Sequence, residues 1–335
     1  MIREYLKLAR SFNSFLTGLS PVMGAIAMEQ YNIFILFLLF LIGFLGHTYG
    51  FVVNDIIDSK IDKLNKEISD RPLISGTISI RKAWTFAIVS MIIAFILAIY
   101  LCNEKGSYIP LIVLFFSAFI ITIYDLTSKK FPLMDILSST AVFLLIIFGA
   151  TTVSGSLNKV STLAWIVGIL GWLEVFFMQF VTGGLKDLKS DFKVKAKTAA
   201  LKLGVRVKDN NLFIMTYRYK FVTYLIQILN IIFVYLPFFI IFTQRTTLHY
   251  IQFILFLILG FLMLFISHRF LNFKYFERAK MRKLFGIHFS INFSIVPIML
   301  MVLNPWTLII IIFPPIGFVF SNLILHGTFL QPKTM

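Results

Sequence analysis

The sequence predicts an all-α integral membrane bundle of nine or ten transmembrane helices, and three observations predict it. Of 335 residues, 59% are hydrophobic and only 14% are charged. Mean hydropathy is +0.89, far above the balance of a soluble domain. The apolar residues also gather into runs, near 12–29, 33–53, 83–102, 107–124, 133–153, 160–182, 221–243, 248–268, 287–303 and 306–327. Each is about long enough to cross roughly 30 Å of hydrocarbon as a helix, which takes about 20 residues.

The first run follows Arg3, Lys7 and Arg10, as a secretory leader would. It lacks a convincing small-residue cleavage site and another span follows at once, so it is expected to stay as the first helix. The second run leads directly into "NDIIDSKID" at 54–62. Runs three to six follow with shorter polar connections, and a long polar segment at 183–220 separates them from the seventh. Asn304-Pro305-Trp306 stands between the last two runs, either as a turn between two spans or as a break in one irregular element. The whole of 1–335 is expected to form one membrane domain, with polar motif loops near 54–82 and 183–220. Cys102 is the one cysteine, which excludes an intrachain disulfide and offers no thiolate metal cluster.

The net charge of +16 is explained by topology. If the runs alternate direction, 28 of the 31 Lys and Arg fall on one face, and the other holds only Lys105, Lys159 and Arg245. The rule that positive loops stay inside makes the first face cytoplasmic. Anionic membrane lipid is the partner this charge implies, and no nucleic acid need be invoked.

Both long polar segments lie on that face. In the first, Asn54, Asp58 and Asp62 are spaced i, i+4, i+8, which on a continuing helix lines their oxygens along one drifting face, with Asp55 adjacent. In the second, "GGLKDLKSD" places Asp187 and Asp191 one turn apart, after Gly183 and Gly184, which let the backbone bend or approach closely. Mg²⁺ takes oxygen ligands and is normally held by one or two carboxylates with substrate phosphates. A diphosphate would complete such a site, with Arg71, Lys129, Lys130 and Lys197 as cations for its remaining charge. Taken alone, either cluster also reads as a solvated helix face with weak ion pairs. Two matched clusters on one face, holding five of fifteen acidic residues, favour the metal.

These residues carry a resemblance. Asn54-x3-Asp58-x3-Asp62 followed by "DRPLISG" at 70–76 resembles the first signature of the UbiA superfamily of intramembrane polyprenyltransferases. Asp187-x3-Asp191 followed by Lys197-Thr198 and "LG" at 203–204 is similar to the second. "YDLTSKKFPLMDIL" at 124–137 is similar to the family's Tyr and Lys segment, and Arg10 and Asn13 resemble the Arg and Asn of its first helix. The resemblance implies Mg²⁺-dependent transfer of a polyprenyl group from a polyprenyl diphosphate to an acceptor, which is either an aromatic quinone precursor or a prenylglyceryl phosphate. It implies metal or diphosphate ligands at Asn54, Asp58, Asp62, Asp187 and Asp191, and phosphate-holding cations at Arg71, Lys129 and Lys197. Arg10, Asn13 and Tyr124 would also meet substrate, Tyr124 through its ring face or its hydroxyl. The chain departs from the family at Phe192 and Lys195, where Arg and Gly are common, and a tenth span would exceed the usual nine.

Other polar residues have two readings. Glu174 and Gln179 fall inside the sixth run, where a carboxylate is a functional candidate by default and a hydrogen bond within the bundle is the equal alternative. Asp125 and Asp135 are expected to pair with Lys129 or Lys130. His47, one or two turns before Asn54, is expected to pack. The basic segments 183–220 and 268–286 anchor the inner face and are suited to close over a diphosphate. The rival class is a multispan transporter using acids for ions or protons. Its acids should lie near the midplane, whereas these cluster at span ends on one face.

The charge asymmetry predicts that cysteines placed at Lys66 and Lys193 are labelled from the cytoplasmic side of sealed vesicles by an impermeant thiol reagent. Labelling of either only from the other side would overturn the topology.

Overall fold

Inside hydrocarbon no water meets a bare N–H or C=O, so an apolar run must close its backbone hydrogen bonds on itself, as a helix does. The computed structural model describes residues 1–63, 69–208 and 210–327, and the side chains of Phe12, Lys60, Ile61 and Asp62 lie outside what it describes, as does Lys66 entirely. Its helices are α1 (Ile2–Leu8), α2 (Ser11–Ile26), α3 (Ile33–Asp62), α4 (Ile80–Lys105), α5 (Ile109–Thr127), α6 (Asp135–Ser154), α7 (Thr162–Phe177), α8 (Gly184–Lys186), α9 (Leu188–Lys193), α10 (Ala199–Lys202), α11 (Tyr217–Ile240), α12 (Thr247–Leu271), α13 (Arg278–Leu300) and α14 (Phe313–His326). A π-helical turn, Met178–Gly183, joins α7 to α8, and a 3₁₀ segment, Pro305–Ile312, precedes α14. Strands β1 (Arg206–Val207) and β2 (Phe213–Ile214) pair antiparallel.

Among the described residues nine helical stretches, from Ile33–Ser59 to Pro305–His326, are long and apolar enough to cross a membrane. The sixteen-residue α2 is shorter than these. Asn304 separates α13 from the last span, so the two final apolar runs are distinct elements. Helix α3 does not stop where its apolar run stops. Its 30 residues extend about 45 Å at ~1.5 Å per residue, more than the ~30 Å of hydrocarbon. The motif at 54–62 is therefore helix, and the loop expected over 54–82 begins only after it.

The chain divides into two compact units. One comprises Met1–Leu126, Ala141–Trp165 and the chain from Leu308, and the other comprises Thr127–Thr140 and Ile166–Thr307. In the first, α2 packs on α3 and α14, and α3 packs on α4. Small residues make these contacts, since lipid tails are as apolar as leucine and close backbone approach must supply the attraction. Helix α4 buries Ala83, Ala87, Ser90, Ala94 and Ala98, while Ile88, Ile92, Ile96 and Ile99 are exposed. A Cβ on Gly149 would stand 1.8 Å from the Pro21 carbonyl oxygen, and one on Gly24 would stand 1.9 Å from that of Ile146.

The second unit is joined across its helices by buried amides. Gln227 Nε2 donates to Ser267 Oγ at 2.6 Å, Asn230 Nδ2 to Asn292 Oδ1 at 3.3 Å, and Gln252 Nε2 to the Ile298 carbonyl at 2.6 Å. Phe180, Leu185, Tyr219 and Phe270 fill the core below the second motif. The β1–β2 hairpin is tied down where the Phe213 N–H meets the Lys274 carbonyl and the Phe276 N–H meets that of Asn211.

Because the Gly149 and Gly24 contacts are backbone on backbone, Gly149→Ala is expected to destabilise the protein by about 1–3 kcal/mol or more, the cost of overpacking. Gly46, where an added Cβ meets nothing within 4 Å, is the control, and Gly46→Ala should stay within about 0.5 kcal/mol. Thermal unfolding in detergent checks both.

Candidate active site

In the first unit the site grows from the helical continuation of α3. Asn54 and Asp58 lie one turn apart, Asp58 9% exposed, with Asp55 between them at 6%. A carboxylate this dry at a span end needs a cation. Arg10 Nη2 meets Asp55 Oδ1 at 2.6 Å, and Arg71 Nη1 approaches the same oxygen at 3.7 Å. Arg10 separates α1 from α2 in the left-handed region, at φ 46° and ψ 47°, a conformation costing a non-glycine residue about 1–2 kcal/mol and fixing the turn from which its side chain reaches Asp55. The guanidinium lies 4.9 Å over the Phe51 ring. His47 stacks on that ring at 4.1 Å and shares a hydrogen bond with Thr17 Oγ1 at 2.9 Å, so its role is packing, as expected.

Asn54 Nδ2 donates to Asp125 Oδ1 at 3.3 Å. Asp125 is 4% exposed and turns inward to α3, which corrects its expected pairing with Lys129 or Lys130. Tyr124, half-buried, precedes it in the last turns of α5. Asn13 lies in the first turn of α2, with its N–H on the Arg10 carbonyl. Asp62 ends the helix, and its side chain lies outside the described atoms.

The second motif rests on a perturbed helix. The π turn widens the backbone, and the Tyr219 hydroxyl donates to the Phe180 carbonyl at 2.9 Å and reaches that of Val181 at 3.3 Å. Gly184 allows a close approach, since its Cβ would meet Ala200 Cβ at 3.3 Å. Asp187 and Asp191 follow one turn apart, with the Asp191 N–H on the Asp187 carbonyl. Arg278 Nη2 lies 3.3 Å from Asp187 Oδ1, and Lys186 Nζ 3.6 Å from Oδ2. Asp187 is 41% exposed, so these pairs are weak and exchangeable. The Lys197 N–H binds the Lys129 carbonyl at 3.2 Å, which brings the two lysine-bearing segments together in this unit.

The position where the family commonly has glycine is strained. Lys195 adopts φ 55°, and the Ala196 N–H closes back on the Asp191 carbonyl at 2.9 Å. Phe192 is exposed, with Arg206 5.9 Å over its ring. Arg278, 91 residues from Asp187, was not singled out by the sequence, where it was one basic residue among six in a flanking segment. Glu174 is buried and its Oε1 has no hydrogen-bond partner among the described residues.

Among the described residues no three His, Cys, Asp or Glu side chains form a ready cage for a metal. The donors nevertheless suit Mg²⁺, which takes hard oxygens and relies on one or two carboxylates with phosphates and water. Asn54, Asp58, Asp187 and Asp191 offer only such donors.

Comparisons with known proteins place the chain among relatives. The chain is 26% identical over 213 residues to the digeranylgeranylglyceryl phosphate synthase of Sulfurisphaera tokodaii, covering 61% of this chain and 71% of that one. It is 28% identical over 218 residues to the 4-hydroxybenzoate octaprenyltransferase of Vesicomyosocius okutanii, covering 63% and 74%. A UbiA homologue from Archaeoglobus fulgidus, solved bound to GPP and Mg²⁺, shares the fold with a TM-score of 0.63 at 17% identity, over 88% of this chain and 99% of that one. The pattern of the UbiA prenyltransferase family matches residues 18–296, and with that match across most of its length the chain belongs to the UbiA prenyltransferase family, as a multi-pass membrane enzyme.

Proposed function

We propose that this prenyltransferase moves a polyprenyl group from a polyprenyl diphosphate to a prenylglyceryl phosphate, using Mg²⁺, at the cytoplasmic face of the cell membrane. The observation that carries the reading is a division of labour around α3. Arg10 and Arg71 converge on Asp55, and Asn54 and Asp58 set an amide and a carboxylate one turn apart on the same helix. The name of the Sulfurisphaera tokodaii relative and the GPP and Mg²⁺ in the Archaeoglobus fulgidus structure support the same substrate classes. Family membership removes the transporter alternative.

In this reading Asn54, Asp58, Asp62, Asp187 and Asp191 are the ligands of metal or diphosphate. When bound, Mg²⁺ supplies Lewis acidity that stabilises the departing diphosphate. Arg71, Lys129 and Lys197 hold phosphate oxygens, and Arg10, Asn13 and Tyr124 line the substrate side. The allylic C–O bond breaks with its electron pair on the diphosphate oxygen. The acceptor hydroxyl oxygen then attacks the allylic carbon, and its proton passes to solvent. The apolar helices house the prenyl tail and keep water from the cation. The 28 to 3 division of Lys and Arg supports the cytoplasmic side.

An aromatic acceptor is the second reading, favoured by the similarity to a 4-hydroxybenzoate octaprenyltransferase. Purified protein is given Mg²⁺, geranylgeranyl diphosphate and either geranylgeranylglyceryl phosphate or 4-hydroxybenzoate, and the products are mass-analysed. The glyceryl ether should form, vanish with chelator and return with added Mg²⁺. Prenylation of the hydroxybenzoate alone would establish the second reading, and turnover that survives chelation would contradict the metal.

A further inference from the structure

The carboxyl of Asp125 is not used by any step above, yet it is among the driest polar groups beside the first motif. It stands on α5, is 4% exposed, and takes the Asn54 amide N–H through Oδ1 at 3.3 Å. Its Oδ2 is buried with no hydrogen-bond partner among the described residues. Asp55, Asp58 and Arg10 all lie close enough to act on its charge. A buried carboxylate with one oxygen unmet is costly, and here it sits against the motif's only amide.

The Asp125 Oδ1 accepts the Asn54 N–H, whereas an amide carries donors on one side and an acceptor on the other. Asp125 therefore dictates which way the Asn54 amide faces. The NH₂ must turn to α5, and Oδ1, the only acceptor of the group, is left over. Neutral amide oxygen is a suitable ligand for a hard cation, but only when that oxygen faces it. Outer partners that orient ligands in this way are worth about 10–100-fold in metal affinity.

We propose that Asp125 is a positioning residue of the cation site: it holds the Asn54 amide so that the amide's own Oδ1 would be presented to a divalent cation, and its Oδ2 is left to hydrogen-bond with water there. This rests on the reading of Asn54 and Asp58 as metal ligands. A simple role as glue between α3 and α5 is the competing account. The structure supplies its own control, because Tyr49 and Thr122 join the same two helices through a 2.8 Å hydroxyl pair without touching Asn54.

The experiment measures Mn²⁺ binding by electron paramagnetic resonance, on detergent-purified full-length protein loaded with the uncleaved donor analogue geranylgeranyl S-thiolodiphosphate. Asp125→Leu should weaken Mn²⁺ binding about 10–100-fold, and Asp125→Asn less, since its side-chain carbonyl can still accept from Asn54. Thr122→Val should leave binding at the wild-type value, whatever it does to thermal stability. The Asn54→Ala/Asp125→Leu double variant should lose less than the product of the two single losses, because one residue acts through the other. Wild-type affinity in both Asp125 variants, or in Asp125→Asn alone should the leucine variant not fold, overturns the inference, as do fully multiplicative losses or an equal loss in Thr122→Val. Absence of Mn²⁺ binding in the wild type would instead overturn the underlying ligand assignment and the inference with it.

Discussion

The 2.6 Å pair between Arg10 and Asp55 is the interaction on which the first motif depends. Asp55 has only 7% of its side chain exposed, and stripping such a carboxylate of its cation costs about 3–5 kcal/mol. Meeting it requires Arg10 to leave the helix and enter the left-handed region, which sets the break between α1 and α2. It also requires α3 to continue past the hydrocarbon so that Asp55 can be reached. Asn54 and Asp58 stand on the same helix, either side of the carboxylate that the arginines meet. A chain that is 59% hydrophobic can thus hold a buried carboxylate at a span end.

Span order and motif spacing were legible in the sequence because both follow from length and period: about 20 residues to cross, four residues per turn. The inward faces were not legible from hydrophobicity, since lipid accepts isoleucine as readily as a core does. In α4 the interior is marked by Ala83, Ala87, Ala94 and Ala98, and the larger isoleucines face outward. Small-residue spacing is the signal there, and a hydropathy profile passes over it. The extension of α3 through Asp62 was implied by the i, i+4 spacing, although composition alone marks 54–82 as a loop.

Within the site, pairs close in sequence follow from helical spacing, whereas pairs joined by folding do not. Asp187 and Asp191 stand one turn apart as their spacing requires. Asp125 was assigned to nearby lysines, yet it turns to Asn54, 71 positions away. The partnership of Arg278 with Asp187 and the Tyr219 hydroxyl on the π turn cross still other helices, and no local pattern encodes them. Lys195 is instructive in the other direction. The resemblance flagged it as a departure from glycine, and it does occupy a backbone conformation that favours glycine. The lysine therefore carries local strain.

The central claim is that both motifs act through negative charge on a bound cation. Turnover of Asp58→Asn and Asp191→Asn, each confirmed to be folded in detergent, tests it most directly, because the amide keeps hydrogen bonding and size but supplies no charge. Each variant should lose at least about 100-fold in kcat, some 2.7 kcal/mol of transition-state stabilisation, with little change in thermal stability. Wild-type turnover in both would contradict the account and leave "NDIIDSKID" as a structural helix end.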